Sequence, residues 1–190
     1  MLKKILARLF KKKDDLEETA SNFVVAQLNE KVGPIDRSLV YEEPLDEFLQ
    51  QKQYGEVTGG GTLQEKTGEL SSCDIEIELA SDMIDQSIIT EIIEKLEFLG
   101  APKGSKLLVE KTGAEISFGR KEGLAVYLDA QNLPEEVYKE CDINFVLSTL
   151  HQLTNIEPDA DRNWQGEKET ALYFFGDSFA QMKNNISAFI

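Results

Sequence analysis

A chain of 190 residues, 41% apolar and 29% charged, can bury one substantial core or two small ones, and disorder over most of its length is excluded. Its 35 acids and 20 bases give a formal charge of −15. The bases are unevenly placed: six lie within Lys3–Lys13, so residues 14–190 set 35 acids against 14 bases, a net −21. Such a body repels nucleic-acid phosphates, which argues against DNA or RNA as partner, and it attracts basic proteins.

The opening MLKKILARLF puts Leu2, Ile5, Leu6, Leu9 and Phe10 on one helical face with lysines around it. Arg8 breaks the apolar run and Lys11 ends it, which is too short for a secretory leader and far below the roughly 20 residues of a membrane span. Two expectations follow for Met1–Lys13: weak contact with an anionic membrane surface, or packing on its own domain. Residues 14–31 are expected to form a helix, with acids in the first turn and Lys31 near its end, before Gly33 and Pro34 break it. A short helix starting near Pro44 comes next, with Leu45, Phe48 and Leu49 covering an edge. Residues 1–50 are therefore read as a helical or partly flexible N-terminal region.

The stretch GEVTGGGTLQEKTGE over Gly55–Glu69 is the nearest thing to a cofactor signature. A phosphate loop ends in Gly-Lys-Ser/Thr, because the lysine reaches the outer phosphates and the hydroxyl holds magnesium; here Gly61 is followed by Thr62, Leu63 and Gln64. Nor does the run follow an apolar strand and open a helix, as a dinucleotide fingerprint does. The glycines are expected to serve a bulge, a twisted edge strand, or close approach of another element. No cofactor is expected.

Beyond it, Cys73, Ile75, Ile77 and Leu79 alternate with Asp74, Glu76 and Glu78, the period of a strand with one buried face. QSIITEIIEKLEFLG reads as a helix with a broad apolar stripe, closed by Gly100, and KLLVE as a strand. AEISFG and GLAVYLDA read as strands joined by a tight reversal. DINFVLSTLHQLTN is helical, ETALYFFG a strand, and DSFAQMKNNISAFI a terminal helix capped by Asp177 or Ser178. Repeats over 55–111 and 112–176, each strand-strand-helix-strand, suggest a duplicated ββαβ unit. The expected fold is α+β over residues 51–190: a two-layer arrangement of a largely antiparallel sheet with helices on one face. One-sided strands argue against a doubly wound parallel sheet.

Cys73 and Cys141 make no disulfide framework, and reduced cytoplasmic thiols are expected. His151 is the only histidine; about nine residues separate it from Cys141 along a helix, too far for a dyad, and no histidine pair or CxxC offers a zinc site. No metal is expected. Asp74, Glu76 and Glu78 share a strand face at about 6.6–6.8 Å spacing. That spacing is compatible with paired-carboxylate hydrolysis, but it is equally the pattern of any exposed sheet face. Trp164 sits in a polar stretch with Asp159, Asp161, Arg162 and Glu167, where an aromatic anchor inside a charged rim suits a protein interface. The reading is a noncatalytic acidic module that binds a basic protein, of the inhibitor or immunity type, with Asp74, Glu76, Glu78, Asp159, Asp161, Trp164 and Glu167 at its interface. A hydrolase using a carboxylate site and a membrane-peripheral adaptor are the alternatives.

Overall fold

The computed structural model describes residues 22–80, 85–160 and 162–190. They form an α+β fold with two antiparallel sheets. The larger has five strands in the order β2-β3-β1-β4-β5: β1 (Phe23–Leu28), β2 (Gly55–Gln64), β3 (Leu70–Leu79), β4 (Ser105–Val109) and β5 (Ala114–Phe118). The smaller has the order β6-β8-β7, from β6 (Glu122–Asp129), β7 (Asn163–Gln165) and β8 (Glu169–Gly176).

The period of two in β3 is realised as read. Cys73, Ile75, Ile77 and Leu79 are buried, and with Val24, Ala26, Leu28, Leu107 and Val109 they build one face of the first core. Two helical elements close that face. The first, α1, comprises Pro34–Arg37, a π-helical turn Ser38–Glu42, and Glu43–Lys52. The second, α2, is Gln86–Phe98, started by the Asp85 side chain accepting from the Ser87 and Ile88 amides, and Gly100 follows its end at φ +102°. Ile88, Ile89, Ile92 and Leu96 are its buried stripe. Helices on one side leave the opposite sheet face outward.

Three expectations change in this half. The helix expected over 14–31 is a strand where it is described: Phe23–Leu28 lies between β3 and β4, the most protected place in the sheet, because Val24, Ala26 and Leu28 alternate as a strand does. Pro34 does not break a helix but starts one, at the first helical position where its missing N–H costs nothing. Consequently the division expected at residue 50 falls inside the first core, to which Tyr41, Leu45 and Leu49 also belong. The Met1–Lys13 segment lies outside the described residues.

The second core lies under the small sheet. Leu124, Val126, Leu172 and Phe174 meet Leu150 of α4 (Ile143–Thr154) and Met182 and Ile186 of α5 (Phe179–Ile186). Asp142 caps α4 and Ser178, rather than Asp177, caps α5 through the Gln181 amide. A short helix α3 (Glu135–Glu140) precedes α4. The expected β5–β6 reversal does not form: the two strands lie in different sheets, and the chain passes between them by a parallel bridge of Lys121 to Pro102. The two candidate repeats therefore pair differently, β2 with β3 in one and β6 with β8 in the other, and they do not join into one sheet.

Candidate functional site: an acidic sheet face beside a glycine-rich edge

The register places the outward residues of the large sheet in rows. Gly61, Asp74, Gln27 and Lys106 form one row; Gly59, Glu76, Val25, Leu108 and Glu115 form the next; Glu56, Glu78 and Phe23 form the third. Glu56 and Glu78 are thus directly opposite each other, a like-charge pair across two strands. Glu56, Glu76 and Glu78 are exposed, Asp74 is half-buried, and no lysine or arginine among the described residues holds any of these carboxylates. The lysine on this face, Lys106, is taken by Glu115 at 3.4 Å. One Asp74 oxygen, Oδ1, is buried without a hydrogen-bond partner among the described residues.

Glu56 was not among the residues singled out from sequence. Its signal was present: once residues 55–64 pair with 70–79, alternation carries Glu56 to the same side as Glu78.

The glycine run fulfils its structural expectation, since β2 is an edge strand with a register shift between Val57 and Gly59. The three glycines are not equivalent. Gly60 faces the helices, where an added Cβ would sit 2.6 Å from Glu42 Oε1 and 3.1 Å from Arg37 Nε, besides striking the Asp74 carbonyl. Those two side chains are joined at 2.6 Å because the π-helical turn brings residues five apart onto one side, and Arg37 also donates to Thr62 Oγ1 at 2.7 Å. Gly59 and Gly61 face outward. A Cβ at Gly59 would meet only Glu76 Oε2 at 3.6 Å, and one at Gly61 would meet nothing within 4 Å.

The second group of expected interface residues sits elsewhere and is differently committed. Asp159 is ion-paired to Arg162, which also reaches Glu30 at 3.1 Å. Asp161 lies outside the described residues. Trp164, on β7, is half-buried; its Nε1 donates to the Thr67 carbonyl at 3.1 Å, and its ring covers Gly166. Glu167 is exposed. The structure therefore brings Asp74, Glu76 and Glu78 together and holds Asp159 and Trp164 in contacts with the protein itself.

Sequence reading missed a buried polar cluster that joins the two halves. Glu30 is fully buried, and its carboxylate accepts from the Tyr41 hydroxyl at 2.9 Å, the Lys31 amide at 2.8 Å and Arg162. Burial works against the Arg162 charge, but Glu30 and then Asp159 raise its pKa, so the guanidinium stays ionised. Burial, reinforced by Glu30, raises the Tyr41 hydroxyl well above its ordinary value, and burial pushes the Cys73 thiol up to about 12. Nearby, Tyr173 donates to Glu69 at 2.6 Å and Lys31 pairs with the same oxygen at 3.2 Å; these bonds, the tyrosine's first, lower the Glu69 pKa.

A groove of about 1000 Å³ runs between α4, α5 and β8, lined by His151, Phe174 and Met182 among others. His151 Nδ1 is 2.9 Å from the Ile156 carbonyl, an acceptor, so that nitrogen carries the proton. Asp74, Glu76 and Glu78 do not line this groove; they lie on the outward face of the large sheet. Among the described residues no cluster of histidine, cysteine or carboxylates is arranged to hold a metal, and no helix is long and apolar enough to cross a membrane. No family model matches the chain, and no curated protein is significantly similar to it.

Proposed function

We infer that the chain is a noncatalytic, acidic protein-binding module of the cytoplasm, acting on a basic partner protein as an inhibitor or immunity-type protein does. The observation that carries the reading is the outward face of the large sheet, where Glu56, Asp74, Glu76 and Glu78 stand without a neutralising lysine or arginine among the described residues. Open carboxylates at this density create a local negative field, which speeds encounter with a basic surface and selects against acidic ones. Among the described residues Arg37, Arg162 and Lys31 hold interior or half-buried acids, and the lysine of this face, Lys106, is held by Glu115.

Affinity capture from native cytoplasm at low and at moderate salt tests the reading, with the double charge reversal Glu76→Lys and Glu78→Lys as the comparison. A basic protein recovered by the native chain, with association slowed by the reversal and by salt, supports it. A partner captured equally well by both forms ends the role given to this face.

A further inference from the structure

Glycine weakens a strand interior, because it contributes no side chain to the face and loses the most backbone freedom on ordering. Gly60 has a packing reason to be there. Gly59 and Gly61 have none: neither adopts a positive φ, and the space beside each accepts a Cβ. Two glycines that no packing contact requires, on the outward side of an edge strand, point to something that approaches the backbone from outside.

We propose that the outer edge of β2 is a strand-addition site, and that its occupant is an extended segment of a partner protein carrying lysine or arginine at alternate positions. The proposal rests on the acidic-face reading and gives it a binding mode. β2 ends the sheet, and Thr58, Gly60, Gly61, Leu63 and Gln64 are exposed along it. Asp46 Oδ1 already accepts from the Val57 amide at 2.8 Å, so the stretch left unpaired among the described residues begins after the bulge and runs over Gly59–Gln64. A strand hydrogen-bonded there lies about 4.8 Å from β2 and hence about 9.6 Å from β3. Its alternate side chains point to the acidic face. To reach the carboxylates of β3, they must pass over β2, and at Gly59 and Gly61 no side chain stands in the way. The residues opposite those two glycines are Glu76 and Asp74. Cationic heads crossing at these points would meet the Glu76 carboxylate and the Asp74 side chain, whose Oδ1 lacks a donor. Charge fixes the sign of the partner, and the period of two fixes its conformation.

The test uses the full chain and a capped peptide of alternating lysine and threonine, about eight residues long, within the usual range of strand lengths. A second peptide is identical but methylated at the alternate backbone nitrogens that would face β2. Titration calorimetry is expected to give binding of the first, weakened at least about tenfold by backbone methylation, because several ladder hydrogen bonds are lost while the charge is kept. The double substitution Gly59→Thr with Gly61→Thr is expected to weaken binding by a similar factor while raising the urea midpoint of the protein, and amides of β2 are expected to gain hydrogen-exchange protection in the complex. A protein variant that is more stable and binds worse cannot be explained by misfolding.

Equal binding of both peptides, with loss on Glu76→Lys, overturns strand addition and leaves the acidic face as a charge-only surface. Binding of both peptides that is indifferent to Glu76→Lys and Glu78→Lys overturns strand addition and the acidic-face reading together. Absence of binding by either peptide overturns strand addition, and the capture experiment above then judges the face separately. A dimer of the free chain that Gly61→Thr dissociates would overturn the proposal in favour of a second copy as the occupant.

Discussion

Two sets of acidic side chains in this molecule live under opposite rules. Glu30 is fully buried just past β1, and each of its oxygens is answered by Arg162, Tyr41 or the Lys31 amide. Glu56, Glu76 and Glu78 stand on the open sheet face with no cation of their own among the described residues. An interior charge must be paired, because desolvation leaves no other source of stabilisation; an exposed one is solvated by water and can wait for a partner. The contrast teaches where charge is answered within the fold and where it is left to solvent.

Removing the cation from the buried set should have the largest effect. Arg162→Ala leaves Glu30 enclosed without its partner and is expected to cost about 3–5 kcal/mol, read from urea unfolding. The loss should be accompanied by loosening between the sheets, seen as lost hydrogen-exchange protection around Glu30 and β7. An unchanged midpoint would show that the pair does not join the two halves.

The glycines sharpen the comparison from the side of packing. Gly60→Ala drives a methyl group into the Arg37–Glu42 pair and the Asp74 carbonyl, and should destabilise by about 1–3 kcal/mol, as overpacking does. Gly61→Ala, one residue on and facing out, should instead stabilise by about 0.5–1 kcal/mol through reduced freedom of the unfolded chain. Opposite signs at adjacent positions, measured by the same unfolding experiment, would separate the two faces of β2 cleanly.

These two positions also mark how far the sequence could be read. Alternation in 73–79 made the buried face of β3 and its acidic reverse legible, since a strand shows its two faces residue by residue. The stripe of α2 and the cap of α5, narrowed by the structure from Asp177 or Ser178 to Ser178, were legible for the same local reason. What was not legible depends on pairing between distant segments. Phe23–Leu28 reads as helix until its place between β3 and β4 is known, and Glu30 is 132 residues from Arg162. Likewise three adjacent glycines look alike until the register turns Gly60 inward and its neighbours outward. The acidic face was therefore visible early, whereas its companion Glu56 and the bare edge beside it needed the ladder.

Acidity tests the half-buried carboxylate between these extremes. Glu69 has its pKa lowered from 4.5, first by the Tyr173 hydroxyl and then by Lys31. A depressed folded value means that the stabilisation is fully present above the unfolded pKa and is lost as pH falls through the folded one. Tyr173→Phe should therefore be less stable than the native chain at neutral pH, and the gap should narrow as the pH drops below 4.5. A gap independent of pH would assign the effect of the hydroxyl to packing.

The smallest effect expected is on the open face itself. Glu78→Gln keeps the shape of the side chain and removes one of two charges that the register sets opposite each other. If the face were built for stability, losing that carboxylate should do harm. If its charge is surplus to the fold, the urea midpoint should rise slightly at low salt, because repulsion with Glu56 is relieved, and the difference should fade at high salt as the Debye length shrinks. Under the proposed function the same variant slows association with a basic protein. A side chain whose loss helps the folded state while harming encounter is kept for the encounter, and a fall in the midpoint on this substitution would place Glu78 among the residues that hold the sheet together.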